Sequence, residues 1–356
     1  MTTPPHTAGP APADPGPPHT ADPAPAGPAP ARPRPPSRPR PGARPGPAAR
    51  AARAVAIGAC LPYLALKAAW LSGSRVGIPD GSLLLERPGL AAAANTATLL
   101  MDTAVIVLAL LLTQRWGARV PAWLLVPPLW AATGLLLPIV VGYPVQSLAA
   151  AAGGPALGEG ASGEFLDGWV FTVVYGGFIV QALALGALAF RYARGRWGHV
   201  WRGTVWDLSA AVSGPGPRAA AVVASLLLLP AAALHLAWAC GVTVGLSPDL
   251  RAAPPPGFHA LEALRGLYAL AAAAGVVALV LRSAPRLPVR LPLAVGWAGS
   301  AAVGCWGGWL FLASLIPGAD PTDEPPLLQV LTYADEMITG TVLAGCLAVF
   351  LRRRAG

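Results

Sequence analysis

Two ionisable residues occupy matching positions in a segment that occurs twice, and they are the first candidates for chemistry in this chain. Lys67 and His235 lie in segments 61–77 and 229–245, which are identical at nine of 17 positions when offset by 168 residues. A charge in the middle of a membrane-spanning helix costs roughly 2.5–3.5 kcal/mol on insertion scales. We therefore predict a polar pocket in each copy or one pocket shared between them. The alternative is that the lysine, the only one in the chain, extends its ammonium group to the membrane interface.

Other charged residues lie in the same half of their predicted helices, within about two to three turns of one helix end at about 1.5 Å per residue. Six residues form the candidate substrate or proton site: Lys67, Asp102, His235, Arg265, Asp335 and Glu336. Positive and negative charges are roughly equal in number, which predicts a charge-compensated cluster. Alternatively, Asp335 and Glu336 lie among lipid headgroups, although this leaves only residues 337–351 for the last span, which is short.

Each copy of the repeated segment also carries a tryptophan followed by two glycines. These residues are Trp70, Gly73 and Gly77 in the first copy, and Trp238, Gly241 and Gly245 in the second. Each tryptophan follows the ionisable position by three residues, which places both on one helix face. Glycines four residues apart form a small-xxx-small pattern that lets membrane helices approach closely. The pattern therefore predicts a helix-packing role for all six residues.

Sequence signatures of catalysis and of metal binding are missing. The chain has no HExxH, GxSxG or Walker phosphate loop. Its four cysteines are far apart and show no zinc-site spacing, so we predict that they are small buried hydrophobic residues. We expect no cofactor and no metal, and nothing in the sequence points positively to an enzyme.

The elements that must position these residues are predicted to be membrane-spanning helices. The chain has 356 residues, of which 54% are hydrophobic and 12% charged, and its mean hydropathy is +0.56. In soluble domains, about a quarter of the residues are charged. Eight apolar stretches reach the roughly 20 residues that a spanning helix needs. They cover about 52–72, 94–113, 121–142, 168–190, 219–245, 259–281, 291–316 and 329–351. The predicted fold class is an all-α integral membrane protein with eight transmembrane helices.

The first 50 residues have a different composition. They contain 18 of the 41 prolines and six arginines, with no large aliphatic residue. Such a segment cannot bury enough apolar surface to offset the entropy lost on ordering. Residues 1–50 are therefore predicted to be a disordered cytoplasmic tail, whether or not that tail has a function.

Arginines predict the orientation of the helices, because cytoplasmic loops of membrane proteins are enriched in positive charge. With the N-terminus inside, the inner connections carry 13 arginines and the outer connections carry three. We therefore predict a multi-pass cell-membrane protein with both termini in the cytoplasm. The net charge of +9 does not indicate a nucleic-acid partner, because the arginines follow apolar segments and form no stripe with aromatic residues.

The internal repeat extends beyond its first helix. Residues 119–121 followed by Trp130 match residues 286–288 followed by Trp297 at an offset of 167. Each repeat then contains four helices. Because an even number of spans returns the chain to the side where it started, both repeats have the same orientation. The sequence predicts parallel four-helix repeats over 51–200 and 218–354, related by a pseudo-twofold axis along the membrane normal.

The repeated phrase Lys67/His235-x-x-Trp-x-x-Gly-x-x-x-Gly resembles one found in uncharacterised multi-pass membrane proteins of high-GC bacteria. The resemblance covers the two motif helices, about a tenth of the chain, and implies no known activity.

Three classes of function are compatible with these features. The first is a transporter, flippase or permease for a small molecule or lipid, which parallel duplication and ionisable groups within the membrane favour. The second is an intramembrane enzyme that acts on a lipid-linked substrate from the outer side. The third is a non-catalytic assembly or sensor protein whose tail recruits a partner or anionic lipid. We favour the first class, with the lipid bilayer as the expected partner; the oligomeric state does not follow from the sequence.

Overall fold

The computed structural model describes residues 1–2, 9, 46–152, 166–209, 212–255, 257–316 and 325–355. Most of the predicted tail, the glycine-rich segment 153–160 and the acidic segment 317–324 lie outside these residues. Within them the secondary structure is helical apart from one isolated bridge between Thr204 and Pro288. The helices are α1 Pro47–Leu71, α2 Leu83–Glu86, α3 Pro88–Leu111, a 3₁₀ helix at Arg115–Arg119, α4 Ala122–Ala151, α5 Gly168–Trp197, α6 Pro215–Ala239, α7 Pro248–Ala252, α8 Phe258–Val280, α9 Arg290–Ser314 and α10 Leu327–Ala355.

Among the described residues, seven helices are long and apolar enough to cross a membrane. They are α1, α3, α4, α5, α6, α8 and α10, each of 23 residues or more. The seven helices indicate a multi-pass membrane protein, which agrees with the class of protein that the sequence predicts. The seventh predicted span, about 291–316, corresponds to α9, which has 25 residues but is not among these seven.

Several helix boundaries differ from the prediction. α1 begins at Pro47 inside the predicted tail, and proline suits the first turn because the amide there needs no helical partner. α4 continues to Ala151, so residues 143–151 of the connection between the third and fourth predicted spans are helical. Four prolines lie within α4, which membrane helices tolerate where neighbouring groups satisfy the freed carbonyls.

The long helices pack in two groups that meet at α4 and α9. In the first group α1 packs against α3 and α5, and α4 packs against α5. In the second group α6 packs against α8 and α10, while α9 lies between α8 and α10. The second group buries the larger hydrophobic core, which includes Val276, Leu343 and Phe350.

Helix α9 is the most closely packed helix because its glycines bring neighbouring backbones together. A Cβ atom on Gly299 would lie 2.4 Å from the amide nitrogen of Ala272 in α8, and one on Gly340 of α10 would lie 2.5 Å from the amide nitrogen of Gly304. Glycine permits these distances because it has no side chain. The helix contacts α4, α8 and α10.

The contact between α4 and α9 is reciprocal. Trp130 Nε1 of α4 donates to Ser300 Oγ of α9 at 3.3 Å, and Trp297 Nε1 of α9 donates to Thr133 Oγ1 of α4 at 3.2 Å. Both tryptophans and both hydroxyl residues are related by the offset of 167 residues.

The connections between helices meet on two opposite faces of the bundle. On the face where α1 begins, Tyr192 Oη donates to Gly117 O at 2.9 Å, and Val205 N donates to Leu287 O at 2.9 Å. On the face where α1 ends, Asp167 N donates to the carbonyl oxygen of Gly77 at 3.0 Å. We call these the start face and the end face.

A short loop on the start face is closed by Asp207. The Thr204 backbone N–H and hydroxyl donate to its Oδ2 at 2.7 and 2.8 Å. These hydrogen bonds hold the pKa of the Asp207 carboxyl below its ordinary value, because they favour the charged form. The loop then pairs with residues 285–289, which joins the α5–α6 and α8–α9 connections.

Candidate functional site

Helices α1 and α6 end in the same way, immediately after the candidate site residues. In the first copy Gly73 N donates to Trp70 O at 3.1 Å, and Ser74 N donates to Ala69 O at 2.9 Å. These are the two bonds of a Schellman motif, which requires a left-handed residue after the helix. Gly73 supplies it with φ 95°.

The second copy repeats this ending. Gly241 N donates to Trp238 O and Val242 N donates to Ala237 O, each at 3.0 Å, and Gly241 has φ 88°. In each copy the tryptophan indole closes the following loop. Trp70 Nε1 donates to Val76 O at 2.7 Å, and Trp238 Nε1 donates to Val244 O at 2.8 Å. The tryptophan therefore fixes the loop to the helix that carries the ionisable residue.

The helix-packing prediction for the four glycines is corrected by this geometry. None of them lies within a helix, since α1 ends at Leu71 and α6 ends at Ala239. Gly73 and Gly241 are helix-ending residues with open space beside them. The later pair do make close approaches, but as loop residues: Gly77 lies against Val170 of α5 and Gly245 against Leu328 of α10.

Lys67 is buried at the contact between α1 and α3. Its Nζ donates to Asn95 Oδ1 of α3 at 2.7 Å. The ammonium group also lies over two aromatic rings of its own helix, 4.6 Å from the Tyr63 ring centre and 4.8 Å from that of Trp70. Aromatic faces attract a cation at such distances. The side chain therefore points into the protein, and the interfacial alternative does not describe its position.

Asp102 of α3 is the acidic neighbour of this lysine and is also buried. The amide of Gln181, on α5, is its other polar neighbour. Its Oδ2 atom is buried without a hydrogen-bond partner among the described residues. An ammonium group near a carboxylate reduces the cost of burying either charge.

His235 has the equivalent position in α6 and is fully buried. Its Nδ1 lies 2.5 Å from Glu262 Oε2 of α8, and its Nε2 lies 2.9 Å from Glu336 Oε1 of α10. The Nε2 contact is an ion-pair distance without hydrogen-bond alignment. A neutral imidazole carries only one N–H, whereas both ring nitrogens here face carboxylates. Only the protonated ring would offer an N–H to each of the two carboxylates.

Arg265 completes this second cluster, and it is the cluster's least buried member. Its Nη1 donates to Glu262 Oε1 at 3.0 Å, so Glu262 bridges the arginine and the histidine. With His235 protonated, two positive and two negative charges cancel. A cancelled set of charges costs far less in a membrane interior than an unpaired one.

Further polar groups of α10 extend the cluster. Gln329 Nε2 donates to Tyr333 Oη at 2.7 Å, and Tyr333 is also a neighbour of Arg265. Asp335, which precedes Glu336 in α10, is half-buried. Its Oδ2 has no hydrogen-bond partner within the described parts of the chain.

The six predicted residues thus fall into two clusters, one for each copy of the repeated segment. Lys67 and Asp102 lie in the first, and His235, Arg265 and Glu336 lie in the second, with Asp335 beside it. The partner that sequence analysis missed entirely is Asn95. The repeat offset could have found it, because adding 167 to 95 gives Glu262, the residue that contacts His235 in the second copy.

A cavity of about 250 Å³ lies beside the second cluster and between the two helix groups. Arg265 and Glu336 form its charged wall, and aromatic side chains from both groups form much of the rest: Tyr143, Tyr175, Tyr268 and Trp306. All of these residues lie in the halves of their helices nearer the end face.

The cysteines and possible metal ligands do not add a second centre. Cys60 and Cys346 are buried as predicted, Cys305 of α9 is only partly buried, and Cys240 is exposed at the end of α6. In the parts of the chain that the structure describes, no three His, Cys, Asp or Glu side chains form a group able to hold a metal ion.

Comparisons with protein-family models, with curated proteins and with solved structures give no match to this chain. The interpretation of the site therefore rests on its own geometry.

Proposed function

We propose that this chain is a cell-membrane permease for a small molecule or lipid, and that the cavity between its two helix groups is the substrate site. The observation that carries the proposal is the cavity itself. Both groups contribute to its wall, and two members of a buried charged cluster, Arg265 and Glu336, line it. Transporters commonly place the substrate site at the interface of their repeats.

In the proposed architecture eight helices cross the membrane as two parallel four-helix repeats. α9 is the eighth crossing helix, and it is long enough to span at 25 residues. The reciprocal tryptophan contacts of α4 and α9 support a pseudo-twofold axis between them. The identical endings of α1 and α6 support the repeat independently.

In this arrangement the start face is cytoplasmic and both termini lie inside the cell. The separation of the connections onto two faces supports an alternating path of the helices. Arginines are concentrated in the connections of the start face, including Arg202, Arg282 and Arg286, and also at the end of α10. Positive charge of this kind favours the cytoplasmic side.

The enzyme alternative is less well supported by the geometry. A general base must reach the proton that it removes. His235 has no exposed surface, and both of its ring nitrogens already face carboxylates. Such a histidine is better placed to hold a proton within the protein than to contact a substrate.

Ligand identification followed by transport measurement tests the proposal. We expect mass spectrometry of the detergent-solubilised protein to find a co-purified compound. Proteoliposomes containing the protein should take up that compound, and Arg265→Ala should reduce the uptake by about tenfold or more, since charged hydrogen bonds contribute about 1.5–3 kcal/mol. A compound that binds but does not cross would contradict a permease and favour a sensor.

A double variant separates the functional classes further. Lys67→Ala combined with His235→Ala should abolish transport. Each substitution removes a buried cation beside a carboxylate, so the amount of protein in the membrane is measured in parallel. A scaffold would instead lose its function when residues 1–50 are deleted. If the double variant fails to accumulate, the two residues are structural and the permease proposal loses that support.

A further inference from the structure

We infer that the cavity binds a single-chain amphiphile with a carboxylate head, and that Arg265 holds the head while the apolar chain lies between α4 and α8. The inference names the ligand class of the proposed substrate site, and it rests on that proposal in taking this cavity to be the site. Three observations support it: the exposure of the charged groups, the unused donors and the shape of the adjoining space.

Arg265 is the charged group that a ligand in the cavity can reach. Its side chain is 24% exposed, whereas the side chains of Glu262 and Glu336 are 4% exposed and that of His235 is 0% exposed. The carboxylates are engaged by the histidine and the arginine. The accessible charge in the cavity is therefore positive, which favours an anion.

Two sets of donors are available to that anion. A guanidinium group has five N–H donors in a planar fork that matches a carboxylate. Among the described residues, Nη1 donates to Glu262 and Tyr333 is a second hydrogen-bonding neighbour, so the group keeps further donors for a ligand. Tyr268 also lines the cavity, and its hydroxyl is buried without a hydrogen-bond partner among the residues described. A buried hydroxyl without a partner is costly. A carboxylate oxygen would supply the missing acceptor.

The space for the chain is a second cavity of about 210 Å³ that adjoins the first. The two cavities share Gly142, Leu261 and Leu264, and the lining of the second is apolar throughout. Two residues of this lining, Val141 and Leu267, are 37% and 57% exposed on the outside of the bundle. In a bilayer that surface faces lipid, so an acyl chain can enter from the membrane itself.

Gly142 controls the junction of the two cavities. A Cβ atom at this position would lie 2.8 Å from Leu261 Cδ2, so a larger side chain must occupy the passage or displace the leucine. A Cβ atom on Gly186, a helical glycine of α5, would have no neighbouring atom within 4 Å among the described residues. The substitutions Gly142→Leu and Gly186→Leu therefore form a matched pair, one that closes the junction and one that does not.

Equilibrium binding of radiolabelled dodecanoate to the full chain in lipid nanodiscs tests the inference, with empty nanodiscs as the background. We expect saturable binding of one dodecanoate per chain. Methyl dodecanoate, which has no charge, and butanoate, which has almost no chain, should each bind about tenfold more weakly or worse. Gly142→Leu should weaken dodecanoate binding by a similar factor, and Gly186→Leu should leave it unchanged.

Two variants test the head-group contacts. Arg265→Gln should weaken dodecanoate binding and leave methyl dodecanoate binding unchanged. If this variant does not fold because Glu262 loses its partner, Tyr268→Phe provides the test, since its hydroxyl has no hydrogen-bond partner within the described parts of the chain. The variant should weaken dodecanoate binding about three- to tenfold.

The inference is overturned if dodecanoate binds no better than its methyl ester, if butanoate binds as well as dodecanoate, or if Gly142→Leu binds dodecanoate like the unaltered protein. Transport is measured separately, by release of dodecanoate from proteoliposomes. Binding without release would contradict the permease and support the ligand class. Release of another compound without dodecanoate binding would contradict the ligand class alone.

Discussion

His235 is fully buried between two carboxylates and connects three helices of the second group. Glu262 and Glu336 come from different helices, so α6, α8 and α10 are joined through one imidazole ring. The charged groups of the first copy have different partners. There Lys67 contacts a neutral amide and two aromatic rings, and Asp102 supplies the opposite charge.

The charge balance of the second cluster leads to a prediction at the residue scale. Glu336→Gln removes one negative charge and leaves the buried imidazole and guanidinium with a single carboxylate. We expect a loss of about 3–5 kcal/mol in the free energy of unfolding, the usual effect of breaking a buried ion pair. Thermal unfolding in detergent, followed by tryptophan fluorescence, measures it.

The double variant His235→Gln with Glu336→Gln is the control for charge. It leaves Arg265 paired with Glu262, so that the remaining charges cancel. We expect it to unfold at a higher temperature than Glu336→Gln alone. A double variant whose destabilisation equals the sum of the two single variants would show that charge balance does not hold this cluster together.

At the scale of single elements, the ends of α1 and α6 show how a short sequence signal fixes a backbone. The glycine after each helix has a positive φ, and the tryptophan three residues earlier holds the loop that follows. Sequence alone misassigned the glycines because small residues four apart are typical both of helix contacts and of a helix ending followed by a tight loop.

The two glycines of the first copy should respond differently to alanine. Both have positive φ, so Gly73→Ala and Gly77→Ala each carry a backbone cost of about 1–2 kcal/mol. Gly77→Ala should be the more destabilising, because its Cβ atom would lie 2.4 Å from Val170 Cγ2 whereas Gly73 has open space. Equal unfolding temperatures of the two variants would contradict the packing of this loop against α5.

Helix α9 leads to a second prediction at this scale. Gly340→Ala should destabilise the bundle by about 2 kcal/mol or more, because the new methyl group would meet the backbone of Gly304, which cannot move aside easily. Gly345, five residues later in α10, has open space around it. Gly345→Ala should therefore be neutral or slightly stabilising, and thermal unfolding of the two variants compares them directly.

At the scale of the whole molecule, the native cysteines report the orientation of the chain. Cys240 is exposed on the end face, Cys305 is partly buried in the interior of α9, and Cys60 and Cys346 are buried. We expect a membrane-impermeant maleimide to label the protein in intact cells, and Cys240→Ser to abolish this labelling. Labelling that occurs only in inverted vesicles would mean that the end face is cytoplasmic, opposite to the arginine distribution.

The sequence was sufficient for those features that depend on local hydrogen bonding. Hydrocarbon offers no partner for a free amide or carbonyl, so an apolar run of about 20 residues must form a helix wherever it lies in the bundle. The repeat offset is also a property of the sequence. It marked Lys67 and His235 as equivalent, and it relates Asn95 to Glu262.

The tertiary structure alone decided which of these residues meet. Helix periodicity does not say which neighbour a face contacts, so the contact of His235 with Glu336, on a helix about 100 residues later, could not be predicted. The central place of α9 and the cavity beside Arg265 depend on how closely glycine backbones approach across helices. These distances are set by the packing of all the helices together, and no single segment contains them.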